Sequence, residues 1–102
     1  MDDLQHYEKR LKGFDIGGRN AESLALYITE GVDPGGFLYT VLSNDLMGTV
    51  AAAGFDNTRR LSRICGAIHT IFPGQAHGSV GDVEYWMSLK QGLYEKKAKE
   101  NE

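Results

Sequence analysis

The chain has 102 residues, the size of one domain around a single hydrophobic core. A hydrophobic fraction of 41% with 25% charged residues excludes disorder. Its 14 acidic and 11 basic side chains exclude a global field that would draw it to long nucleic acid or an anionic membrane.

From the N-terminus, the acidic, polar start Met1-Asp2-Asp3 carries no signal-peptide pattern. Leu4, Tyr7 and Leu11 lie three and four apart and predict a helix over 3–12, stopped by Gly13, with Glu8 and Lys12 as an i,i+4 pair. Phe14 to Arg19 reads as a loop with two apolar plugs, Phe14 and Ile16. Asn20 is the expected N-cap of a second helix, whose apolar face is Leu24, Tyr27 and Ile28 and which Gly31 ends. Asp33-Pro34 is expected to start a third helix, with aspartate capping and proline at the first helical position. Its stripe of Phe37, Leu38, Val41 and Leu42 either runs on through Leu46, Thr49, Val50 and Ala53 to Gly54, or bends where Ser43 or Asn44 caps a new helix. The bend is favoured, because Ser43-Asn44-Asp45 is a run of poor helix formers with good capping chemistry.

Asp56 or Asn57 is expected to cap the next helix. That helix carries Leu61, Ile64, Cys65, Ile68, Ile71 and Phe72 on one face and ends at Pro73-Gly74. After a loop from Gln75 to Gly78, Ser79 and Asp82 resemble a capping box, and Val83, Trp86, Met87 and Leu93 or Tyr94 form the last apolar face. Residues 95–102 read as a frayed, charged tail. No segment alternates with period two, so the expected fold is all-α: a compact bundle of five or six short helices in one domain over 1–102. Of the 13 glycines, Gly48, Gly66, Gly81 and Gly92 fall inside helical patterns, where each costs up to about 1 kcal/mol unless it permits close packing. Close helix crossings, or self-association through one, are therefore expected. No run of about 18 apolar residues predicts a membrane span, and the single Cys65 implies no disulfide. The expected compartment is the cytoplasm.

Chemistry is sparse. The Asn44-Asp45 pair interrupts an apolar stripe, and two readings stand: a cap between two helices, or a polar anchor facing an arginine in a ligand pocket. Arg59, Arg60 and Arg63 form the best local anion site, large enough for one or two phosphates; the plainer reading is a solvated face paired with acidic neighbours. Cys65 and His69 are a lone i,i+4 pair, short of the three or four ligands of a zinc site, so Cys65 is read as an ordinary buried residue and no metal is expected. His77 lies in a loop with no identified partner. Neither catalytic residues nor a cofactor are expected.

The run Gly31-Val32-Asp33-Pro34-Gly35-Gly36-Phe37-Leu38, with Val41-Leu42 and Asn44-Asp45-Leu46, resembles a group of small uncharacterised proteins of tailed phages and prophages. Gly54-Phe55-Asp56-Asn57-Thr58-Arg59-Arg60 is similar to the Asn- and Arg-rich segment that follows in them. Where they often carry tryptophan-glycine-serine, this chain has His77-Gly78-Ser79. The resemblance covers roughly residues 25 to 87 and implies a phage accessory protein in the host cytoplasm, of a kind that acts by binding. The expected function is a non-enzymatic, self-associating binding protein. In its sharper form it is an anti-defence sponge that holds a small anionic nucleotide signal through Arg59, Arg60 or Arg63 and orients it with Asn44 or Asp45. The alternatives are an inhibitor or adaptor bound to a host protein, and a small enzyme using Asp45 or His77.

Overall fold

Apolar side chains at helical spacing are joined by glycine- and proline-bearing turns, and the chain folds accordingly. The computed structural model describes the backbone of residues 2–100 and the side chains of residues 2–92. Among the described residues it is all-helical: α1 (Asp3–Lys12), α2 (Gly18–Glu30), α3 (Gly36–Leu42), α4 (Leu46–Ala52), α5 (Phe55–Ile71), a 3₁₀ turn (Gly74–Ala76) and α6 (Val80–Glu100). α1 packs on α2, α2 on α6, α6 on α3 and the 3₁₀ turn, and α3 on α4. Leu11, Ile16, Leu24, Tyr27, Leu42, Ile64 and Val83 are fully buried where these elements meet, and Ile68, Phe72, Trp86 and Met87 close the same core. The Cα radius of gyration is 13.7 Å, close to the roughly 13 Å of a compact 100-residue domain.

The bend between α3 and α4 explains the polar pair. Asn44 is left-handed at φ 62°, a conformation asparagine tolerates better than most residues. The Asn44 N–H donates to the Val41 carbonyl (3.1 Å) and the Asp45 N–H to the Thr40 carbonyl (2.9 Å), which closes α3 with a Schellman motif. The Asp45 carboxylate then accepts from the Gly48 N–H at 2.9 Å and caps α4. A side chain at Gly48 would collide with that carboxylate. Asn44-Asp45 is thus the joint between two short helices.

Five helix boundaries differ from the sequence expectation. α4 is capped by Asp45 rather than by Ser43 or Asn44, because those two residues close α3. α2 is capped by Gly17 rather than Asn20, whose amide turns back to the Ile16 carbonyl. α3 starts at Gly36, because the Asp33 carboxylate accepts from the Gly35 N–H (2.9 Å) and spends its capping capacity on a turn. α5 is entered from extended Gly54, which leaves Asp56 in its first turn and frees Asn57 for another partner. α6 continues to Glu100, since the segment expected to fray is mostly lysine and glutamate, both strong helix formers. Residues 101–102 lie outside the described residues, as do the side chains of Leu93 and Tyr94. The Ser79–Asp82 capping box forms: the Asp82 N–H donates to Ser79 Oγ at 3.0 Å, and that hydroxyl donates to the Asp82 carboxylate at 2.9 Å.

The close helix crossing sits at a chain turn and not at an interior glycine. Nothing lies within 4 Å of a Cβ built at Gly66 or Gly92. Gly31, left-handed at φ 69° where it ends α2, lets the Met87 carbonyl of α6 come within 2.6 Å of where a Cβ would stand. The Gln91 amide donates to the Gly31 carbonyl at the same contact, at 2.8 Å. α4 is turned inside out: Thr49 faces α3, its hydroxyl 3.1 Å from that of Thr40, while Leu46, Met47 and Val50 face solvent.

These two glycine environments predict opposite outcomes. Gly31→Ala combines a left-handed backbone with a clash against α6 and is expected to lower unfolding free energy by more than about 1 kcal/mol. Gly66→Ala, in open space within α5, is expected to raise it by roughly 0.5–1 kcal/mol. Paired urea melts read both; a stable Gly31→Ala protein would overturn the crossing as described.

Candidate functional site

α5 is held at both ends, and its basic residues lie between the anchors. At its start the Asn20 amide of α2 donates to Asn57 Oδ1 at 2.9 Å, which draws the N-termini of α2 and α5 together. Neither terminus has a side-chain cap, so both leave backbone donors open to solvent or ligand. At its end Phe72 packs against Tyr27, with ring centroids 6.3 Å apart.

Two clefts flank the first turns of α5 and share Asp56 and Arg60. One, about 260 Å³, gathers Arg59, Arg60 and Arg63 with Asp15 and Asp56. The other, about 490 Å³, runs between Gly17-Gly18-Arg19 and Gly54-Phe55. Arg63 pairs with Asp15 at 3.1 Å, an exposed contact that solvent weakens. The Arg59 guanidinium lies 5.6 Å from the Phe55 ring centroid, a cation–π contact that leaves its charge unneutralised. Arg19 and Arg60 have no carboxylate within ion-pair distance among the described residues. Arg60 crosses the loop at Gly17, where a Cβ would stand 2.9 Å from its guanidinium, so Gly17 (φ 90°) is glycine for contact as well as for conformation. Together these groups can form charge-assisted, bidentate hydrogen bonds to an anion that also meets the helix N-termini.

The three arginines singled out in the sequence are therefore brought together, while Asn44 and Asp45 lie elsewhere. Asn44 lines a third cleft of about 340 Å³ beside Cys65, His69 and His77, and the Asp45 carboxylate is engaged in capping. Arg19, Gly17, Phe55 and Asn57 were missed as site residues. The signal available was Gly17-Gly18-Arg19, a glycine pair that carries arginine into a helix, but only the Asn20–Asn57 bond sets it beside Arg60.

In the third cleft Cys65 is exposed and not buried as expected, because α5 turns Ile64 and Ile68 inward and leaves Cys65 at the cleft wall. Partial desolvation there still pushes its thiol pKa up, the opposite of what an activated nucleophile needs. Among the described residues no group of three or more His, Cys, Asp or Glu side chains is arranged to hold a metal. His77 is half-buried; desolvation and the neighbouring His69 lower its pKa below the ordinary 6.5, against the opposing pull of Asp82.

Since the folded pKa of His77 lies below its unfolded value, the unfolded chain binds the extra proton. His77 therefore contributes stability that is complete above about pH 6.5 and is lost as pH falls toward the folded pKa. His77→Asn is expected to flatten the decline in melting temperature between about pH 6.5 and 5. An unchanged slope would show that the imidazole does not titrate in the folded state as described. Compared with known proteins, the chain matches no protein-family description, no curated protein and no solved structure.

Proposed function

We propose that this protein is a non-enzymatic binding protein that sequesters a small anionic ligand, a nucleotide being the class that fits best, in the clefts beside the N-termini of α2 and α5. The observation that carries the reading is the convergence of Arg19, Arg59 and Arg60, none of them ion-paired among the described residues, with two uncapped helix N-termini. Arginine forks and backbone N–H groups supply donors in the geometry phosphate oxygens accept. The Phe55 ring, 78% exposed, offers a stacking face at the edge of the same cleft. Asp15 and Asp56 temper the positive charge, which favours a compact anion over a long polyanion. An accessory setting in a phage-infected host, with a defence signal as the ligand and binding alone sufficient, is part of the proposal.

Thermal-shift and calorimetric titration with nucleoside diphosphates, cyclic dinucleotides and inorganic phosphate test this. A ligand at a hundred times its Kd is expected to add about 2.7 kcal/mol of stability, a rise of roughly 10 °C or more in melting temperature. Arg60→Ala is expected to abolish the rise and added salt to shrink it. Asp45→Ala, which removes the α4 cap, is expected to cost about 1 kcal/mol of stability yet leave the ligand-induced rise intact. No rise with any of these anions at millimolar concentration, or a full rise in Arg60→Ala, overturns the proposal.

A further inference from the structure

The inverted polarity of α4 points to a second surface, independent of the arginine clefts. In a helix on the outside of a bundle the apolar residues face the core and the polar ones face water. α4 does the reverse. Its buried position is Thr49, and the rest of its surface presents Leu46, Met47 and Val50 at 67%, 78% and 60% exposure, with Ala51 at the edge beside Met47. Together these side chains present on the order of 400 Å² of apolar surface, the size of the largest patch on a typical monomer and about half of the roughly 800 Å² each partner gives to a stable interface.

We propose that this face is covered by the same face of a second copy, giving a two-fold symmetric dimer. Two properties of the surface select a second copy. A two-fold interface sets a patch against itself, so any net charge within it would repel its own image. Residues 46–55 contain no charged side chain, although a quarter of the chain is charged. At the edge of the face the small Ala51 lies one turn from Met47, which lets two helices approach closely there while the unbranched Met47 side chain adapts to its counterpart. The tether between α4 and the body reinforces this: α4 is seated through the Thr40–Thr49 hydroxyl contact and the Asp45 cap, and neither consumes its apolar side.

Light scattering after size exclusion, run on the full chain without ligand, reads the outcome directly. The wild type is expected at twice the chain mass at about 100 µM, dissociating on dilution. Met47→Glu/Val50→Glu is expected at the single-chain mass with unchanged helical circular dichroism, because both positions are exposed. Tyr85→Glu, which alters an exposed aromatic on α6, is expected to keep the doubled mass. In a Cys65→Ser background, Ala51→Cys is expected to cross-link on mild oxidation, a readout that does not depend on the double variant folding. Phe55 is left untouched in every variant, so the anion titration reports on the clefts separately. A wild type at single-chain mass, including one whose apolar face captures another protein or a lipid vesicle instead, overturns the proposal, as does a doubled mass in Met47→Glu/Val50→Glu.

Discussion

The Tyr27 hydroxyl ties the molecule together. The ring is fully buried in α2, and its O–H donates to the carbonyl of Ala76 in the 3₁₀ turn between α5 and α6. A carbonyl buried in an apolar core costs about 1–3 kcal/mol when left unpaired, so this bond fixes where the turn sits. Burial and nearby acidic groups push the phenol pKa well up, which keeps it a neutral donor. From the turn the constraint spreads in both directions. Phe72, just before it, packs on the Tyr27 ring and anchors the end of α5. Gly78, just after it, donates its N–H to the Leu42 carbonyl at 2.7 Å and docks α3.

Each surface feature follows from that arrangement. With α3 docked, its Schellman close sets the direction of α4, and Thr49 settles against Thr40. The apolar side of α4 is then left outward. With the end of α5 anchored at Phe72, the Asn20–Asn57 bond holds its beginning against the start of α2, and the arginines of α5 meet Arg19 across Gly17. The charged clefts and the apolar face are built from adjoining stretches of chain on either side of Gly54, and their chemistry is opposite. One can bind by charge and donors, the other by area.

The joint at Asn44-Asp45 shows how a local rule can masquerade as a site. A polar pair in an apolar stripe invites a ligand, yet every hydrogen-bonding duty it performs is the closing of one helix and the opening of the next. The same economy explains the shifted boundaries at Asn20, Asp33 and Asn57. All three have capping chemistry, and each is diverted to a partner within reach: Asp33 to the Gly35 N–H, Asn20 and Asn57 largely to each other. Capping propensity states what a residue can do at a helix end, while competition for partners decides whether it does so.

The all-α class, the apolar faces of α1, α2 and α5, the Val83-Trp86-Met87 part of the α6 face, the bend at Ser43-Asn44-Asp45 and the capping box at Ser79 were legible in the residues alone. These depend on side-chain period and local hydrogen bonding, both written within a few residues. The sequence also marked Arg59, Arg60 and Arg63, since a cluster on one helical segment is visible as a cluster. That Arg19 joins them, that Asn44 and Asp45 stand apart from them, and that Cys65 lies at a cleft wall emerged from the packing of the helices. That packing alone showed the close crossing at Gly31 and the outward apolar side of α4. The reason is physical: such features depend on which faces of different helices meet, and Tyr27, Asn20 and Gly78 make those meetings through contacts 37 to 49 residues apart in the case of the two side-chain bonds.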